Sequence, residues 1–259
     1  MVVAAGGHFV EDGRDALGLP LDGLAVLLPR LAITQRPGLR CHFAQHPVGG
    51  QRVGPSSLTG IDAARRNLDE EIPGWDFEFI MNETEAEWNK TLGKIDVKSG
   101  SDEDRIKFYT ALYHCYLLPR VASDCDGSYQ GFAEDTLIHK AEGFDYYDDF
   151  SMWDTYRALH PLLTILEPEK TLHMVKSLVL KAQQGGWMPI FPAWNNYTAA
   201  MIGDHATVMI ADSYMKGIRD FDIDKAYYYL RKNAFEQPPL EEYADGKGRR
   251  ALESYLKYG

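Results

Sequence analysis

Phe150-Ser151-Met152-Trp153-Asp154-Thr155-Tyr156-Arg157, then Gln184-Gly185-Gly186-Trp187-Met188-Pro189, then Met201-Ile202-Gly203-Asp204-His205-Ala206-Thr207 are the words that decide how this chain reads. Each sets aromatic rings and charged groups beside tight, Gly- or Pro-marked backbone. That mixture suits a sugar pocket. Flat apolar faces meet ring C–H groups, and carboxylate or guanidinium groups meet hydroxyls.

Around these words the apolar positions recur at helical spacing. Residues 151–166 read as one helix, with Ser151 as cap and Glu167-Pro168 as the stop. Residues 171–184 are amphipathic (Leu172, Val175, Leu178, Val179, Ala182) and end at Gly185-Gly186. Residues 187–198 form a Pro-containing loop. Residues 199–217 form an almost wholly apolar helix, expected to be buried. Residues 223–233 are amphipathic, and 249–258 begin another helix.

Upstream, residues 56–72 place Ile61, Ala64, Leu68 and Ile72 on one helical face, ended by Pro73-Gly74. Residues 76–92 form a second helix. Ser101 caps a third, whose acidic first turn suits the helix dipole and which stops at Pro119. A short strand is expected at Lys94-Ile95-Asp96-Val97. Residues 120–149 are irregular, acidic and aromatic; a loop this long is functional or disordered, and the aromatics favour order. About eight helices with almost no strand signal predict a mainly α chain. Both a helical bundle and part of an α/α toroid fit.

The first 55 residues differ from the rest: they hold no Lys, Asn, Tyr or Trp, whereas all 15 Tyr and all 5 Trp lie downstream. They read as a disordered or mistranslated leader. The last helical pattern is still running at Tyr258-Gly259, so the chain is expected to be a piece of a longer one. With 259 residues and 45% apolar content it can build a sizeable core. A net charge of −11 argues against nucleic acid and anionic membranes as partners. No apolar run approaches the ~20 residues of a membrane span. Cys41, Cys115 and Cys125 have neither a disulfide framework nor zinc-site spacing. No basic segment precedes an apolar run, so no signal peptide is visible.

The chemistry concentrates in the three opening words. On a helix Trp153 and Arg157 are i, i+4 neighbours, and Asp154 and Arg157 can pair. A core Trp beside a structural salt bridge would look the same. The preceding acidic, aromatic run Phe144-Asp145-Tyr146-Tyr147-Asp148-Asp149 tilts the reading toward a site. Gly203-Asp204-His205 puts an acid and an imidazole on an apolar helix, which is costly unless the groups are paired or functional. Ser123-Asp124-Cys125-Asp126-Gly127 reads either as a capped turn or as a hydroxyl or ion contact. It is not an EF-hand loop, because Tyr129 and Asp135 stand where that loop needs Gly and Glu. Asp148-Asp149 is not a diphosphate motif, because Met152 occupies the place of its third acid.

Phe108-Tyr109-Thr110-Ala111-Leu112-Tyr113-His114, the 123–129 and 150–157 segments, His160-Pro161-Leu162, 184–187, and Gly203-Asp204-His205 continuing to Lys216-Gly217 occur in an order that resembles glycoside hydrolase family 92. The resemblance covers about residues 56–259. It implies a calcium-dependent, inverting exo-α-mannosidase acting on mannose-containing glycans, with Ca²⁺ as cofactor. It also implies a family usually secreted or periplasmic, with a β-sandwich ahead of an (α/α)6 barrel. On this reading residues 56–100 are inter-domain linker helices and 101–259 the first half of the barrel. The family's general bases would lie beyond Gly259, so the chain alone is expected to be inactive. Trp153, Asp154 and Arg157 become contacts to the terminal mannose, and Asp126, Trp187 and His205 become pocket lining. One departure stands out. Where members carry the general-acid Glu, this chain has Tyr197, within Asn196-Tyr197-Thr198. A phenol of pKa near ~10 is a poor acid for a glycosidic oxygen, so either another group protonates, with Asp204 the nearest candidate, or the leaving group, such as a phosphate, needs little protonation, or the linkage cleaved is a different one. The competing reading is a non-catalytic carbohydrate-binding protein on an α/α toroid.

Overall fold

A computed structural model describes residues 57–98 and 100–259. The expected leader, residues 1–55, lies outside the described residues. The chain divides between Leu118 and Pro119 into two compact units.

The described part of the first unit holds three helices, α1 (Ile61–Glu71), α2 (Phe77–Leu92) and α3 (Asp102–His114). α1 starts later than expected. Ser57 folds its hydroxyl onto the Thr59 amide at 2.9 Å instead of capping a helix. Its buried positions are Ala63 and Asn67, and Ile61 is exposed, so the face is turned from the predicted one. Asp76 caps α2 through the Phe79 amide at 3.0 Å. Ser101 caps α3 through the Asp104 amide at 3.2 Å, as expected. Trp88 of α2 packs on Tyr113 of α3, ring centroids 4.7 Å apart. No strand forms at 94–97. Tyr109 Oη donates to the Ile95 carbonyl at 2.9 Å and accepts from the Val97 amide at 3.3 Å, which takes backbone groups a ladder would need. α3 ends at His114 rather than running to Pro119.

In the second unit the expected loop 120–149 is built from short antiparallel ladders. β1 (Arg120–Val121) pairs with β4 (Tyr147–Asp148), Arg120 opposite Asp148. β2 (Ser128–Gln130) pairs with β3 (Ile138–Lys140), Tyr129 opposite His139. Tyr129 and Tyr146 stack at 4.0 Å, so the aromatics order the segment.

The expected single helix 151–166 is two, α4 (Met152–Thr155) and α5 (Leu159–Leu166). Pro161 explains the break. In a continuous helix its ring would meet the Arg157 carbonyl and it would lack the N–H, whereas in the first turn of α5 it is tolerated. α6 (Pro168–Gly185) has Pro at its start and left-handed Gly186 (φ 82°) just past its end. It is the central helix: Val175, Leu178 and Ala182 are fully buried, and α5, α7, α8 and β4 all pack on it.

After the hairpin β5 (Pro192–Ala193) and β6 (Asn196–Tyr197) comes α7 (His205–Met215). The expected helix from 199 starts six residues late, because Ala199, Met201 and Gly203 take left-handed φ of 53°, 63° and 91°. Asp222 caps α8 (Ile223–Phe235) through the Lys225 amide at 3.0 Å. The short α9 (Leu240–Ala244), not expected from the sequence, precedes α10 (Leu252–Tyr258), delayed by Ala251 at φ 55°. The architecture is mainly helical. Among the described residues no helix is long and apolar enough to cross a membrane.

His160 of α5 is buried with neither ring nitrogen bonded. Burial pulls its pKa from 6.5 down to about 4. Between those values the unfolded chain binds the proton and the folded one does not. Stability is therefore full above pH 6.5 and falls as pH drops toward 4. Urea unfolding at pH 7.5 and pH 5 is expected to differ by about 2 kcal/mol from this group. His160→Leu should flatten that difference; an unchanged pH dependence would rule His160 out as its source.

Candidate functional site

Two clusters in the second unit carry chemistry. The first joins α4 to the start of α7, which pack together. Trp153 projects from α4 with 48% of its surface exposed, so it is not the core Trp of the bland reading. The predicted Trp153–Arg157 helical face is not continuous, because α4 ends at Thr155. Nor do Asp154 and Arg157 pair. The Asp154 carboxylate accepts from Ser151 Oγ. Arg157 Nε donates to Tyr156 Oη at 2.6 Å, its guanidinium 5.3 Å from the Tyr156 ring centre. The Tyr156 ring also meets the His205 ring, centroids 4.3 Å apart. Gly203 makes this possible: a Cβ there would lie 2.2 Å from His205 Cε1, and φ is 91°.

Asp204 sits in the N-cap position of α7, yet its side chain caps nothing. Its Oδ1 is buried without a hydrogen-bond partner. Burial raises its pKa; Thr207, Arg249, Asn233 and His205 oppose the shift. The His205 pKa is lowered, by burial first, with Arg157 adding to that and the Asp204 charge opposing it. A guanidinium, an imidazole of lowered pKa and a buried carboxyl of raised pKa therefore gather around Tyr156, and the exposed Trp153 indole stands on α4, which packs on α7.

The second cluster was not read from the sequence. Lys181 of α6 is completely buried and pairs with Asp148 at 2.8 Å, the pair having 0% and 3% side-chain exposure. Its ammonium also donates to Tyr146 Oη at 2.7 Å. Burial lowers the Lys181 pKa, against the charges of Asp148 and Asp149. The other Asp148 oxygen accepts from the Asn195 amide at 2.6 Å. Asn195 Nδ2 donates to the carbonyls of Gln130 and Gly131 at 2.9 and 2.7 Å. Asp149 pairs with Arg120 and accepts from the Trp194 amide at 3.1 Å. Asp149, Trp194 and Asn195 all hold left-handed φ (63°, 53°, 58°), a conformation costing a non-Gly residue on the order of 1–3 kcal/mol. Trp194 is 79% exposed.

Three sequence candidates lie apart from these clusters. Asp126 is exposed and accepts the Ser128 amide at 2.9 Å in a turn. The Trp187 indole is buried, donating to Glu242 at 2.7 Å with the Lys232 ammonium 4.0 Å from its ring centre. Tyr197 is buried edge-on to Phe132, centroids 4.8 Å apart. Its hydroxyl donates to the Trp187 carbonyl at 2.6 Å and accepts from the Trp187 amide at 3.2 Å. Burial pushes its pKa well above the ordinary phenol value.

Among the described residues no group of three or more His, Cys, Asp or Glu side chains could hold a metal ion. The adjacent Asp148 and Asp149 are each matched by a cation, Lys181 and Arg120.

Exposed indoles and a buried carboxyl of raised pKa suit a carbohydrate-handling protein. The sequence profile of the Glycosyl hydrolase family 92 catalytic domain matches residues 63–259. The chain belongs to that family. It is 31% identical over 196 residues to an uncharacterized secreted glycosidase of Arthroderma benhamiae, covering 73% of this chain and 20% of that protein. A family 92 α-mannosidase from Bacteroides thetaiotaomicron, also solved with mannoimidazole, matches with TM-score 0.65 and 33% identity over 77% of this chain and 25% of that one. An inverting family 92 mannosidase from the same organism matches with TM-score 0.70 and 28% identity over 78% and 27%. The chain thus spans about a fifth to a quarter of the length of these relatives.

Proposed function

We propose that this chain forms part of the mannoside pocket of an exo-α-mannosidase that hydrolyses terminal α-linked mannose from glycans with inversion. The observation that carries this is Asp204: a buried carboxyl with an unpartnered Oδ1, its pKa raised by burial, at the start of α7 beside His205 and Tyr156. A carboxyl whose pKa is raised is suited to protonate a glycosidic oxygen as general acid. Trp153 offers a face to the sugar ring, and Arg157 and Asp154 reach its hydroxyls. His205, with Asp126 and Trp187, completes the set of candidate lining residues. Asp126 and Trp187 have the weaker claim, because one lies in an exposed turn and the other is sealed against Glu242.

The proposal includes an α/α toroid around the pocket, with residues 56–100 as linker helices and 101–259 as the first half of the barrel. Calcium dependence is part of the same proposal for a full-length family member, the described residues holding no cluster of three or more His, Cys, Asp or Glu side chains. The second reading, a sugar binder without turnover, is favoured by Tyr197, whose hydroxyl is committed to the Trp187 backbone.

A full-length family member carrying this segment is expected to release mannose from α-mannobiose and to lose that activity in EDTA. Full activity in EDTA removes calcium from the proposal. Saturable mannose binding without release selects the second reading.

A further inference from the structure

The backbone under an exposed Trp at a hairpin tip is ordinarily free to move. The Trp194 backbone is held. Its amide donates to Asp149 Oδ1 at 3.1 Å, and Asp149 is held by Arg120. The next residue, Asn195, is buried and makes six hydrogen bonds. Its amide donates to Asp148, its Nδ2 donates to two carbonyls, and its Oδ1 accepts from Tyr146 Oη at 3.0 Å and Lys181 Nζ at 3.5 Å. Its own carbonyl accepts from the Ala133 amide at 3.1 Å. A buried ion pair and three left-handed residues therefore fix the backbone on which one large apolar side chain stands in solvent. Folding alone gains nothing from that exposure. Pre-organisation of an aromatic face for a ligand does gain from it.

The Trp194 hairpin is also joined to the segment leading to Trp153. The Phe150 amide donates to the Pro192 carbonyl at 3.0 Å, alongside the Asp149–Trp194 bond. Two exposed indoles thus rise from two segments pinned to each other, Trp153 standing three positions after Phe150. One pyranose ring suits one indole face; two fixed faces suit two rings.

We propose that Trp194 is a stacking platform for a second pyranose ring of the glycan, the one next to the terminal mannose. Lys181, Asp148 and Asn195 are the positioning residues that hold it. This rests on the reading of the chain as a mannoside binder.

The test uses the whole chain, ¹⁵N-labelled, titrated with methyl α-mannoside and with α-linked mannobiose while the Trp indole N–H signals are followed. The wild-type chain is expected to bind mannobiose more tightly than methyl α-mannoside. Trp194→Ala should weaken mannobiose binding about tenfold and leave methyl α-mannoside unchanged, with Trp194→Phe between. Thermal melts should be unchanged, since the side chain lies outside the core. Mannobiose affinity unchanged in Trp194→Ala overturns the platform while sparing the mannoside reading. Equal losses for both sugars overturn its assignment to a second ring. Binding of neither sugar by the wild-type chain overturns the mannoside reading and the platform with it.

Discussion

Lys181→Met is expected to lower the unfolding free energy by about 3–5 kcal/mol, because it leaves the Asp148 carboxylate buried without its cation. The Lys181 ammonium has 0% side-chain exposure and lies 2.8 Å from Asp148, so water cannot replace it. Tyr146 Oη loses its 2.7 Å donor in the same change. Adding Asp148→Asn should recover much of the loss. The amide removes the stranded charge and can still accept from the Asn195 amide, now 2.6 Å from Asp148. Chemical denaturation of the wild type, both single variants and the double variant measures this as a cycle. Additive losses would show that the two groups are not coupled and that the network is ordinary packing.

Asp204→Asn in a full-length family member carrying this segment is expected to reduce kcat for an unactivated α-mannoside about 10²–10⁴-fold, the usual worth of a general acid. The sign of the pH effect follows from the raised pKa of Asp204. An acid works only while protonated, so activity falls as pH rises through that pKa. Asp204→Asn should abolish this limb. Substrates with leaving groups that need no proton should be largely spared. A structural role would depress all substrates alike and leave the pH profile intact. Because a buried carboxyl becomes a neutral amide, the melting temperature should not fall.

Helix existence was legible wherever apolar spacing was strong: α2, α3, α6 and α8 fall where expected because their buried stripes and caps agree. Where the reading failed, a local backbone rule overrode composition. Pro161 divides 151–166, a signal present in the sequence but outweighed there by the apolar run. Residues 199–204 are apolar enough for a helix, yet Ala199, Met201 and Gly203 among them hold left-handed conformations that hydropathy does not encode. Asp204 therefore sits at the mouth of α7 rather than along it.

In the site, Trp153, Arg157, Asp204 and His205 do come together in one corner. The Asp148–Lys181 network went unread, although Lys181 falls three residues after Leu178, on the apolar face of α6. A charge on that stripe was the available signal for a buried pair. Trp194 gave none, because its exposure depends on hydrogen bonds from residues 45 and more positions away.

Tyr197 has a consequence for how such chains can change. Gly185 leaves room for the Tyr197 ring: a Cβ at 185 would stand 2.4 Å from its hydroxyl. Phe132 supplies the edge, and the Trp187 backbone supplies both partners for the oxygen. Tyr, Gly and Phe therefore form an interlocked set. Glutamate placed at 197 would face an aromatic ring and a backbone carbonyl. An acid could enter this position only after those neighbours were remade, so the set holds itself in place.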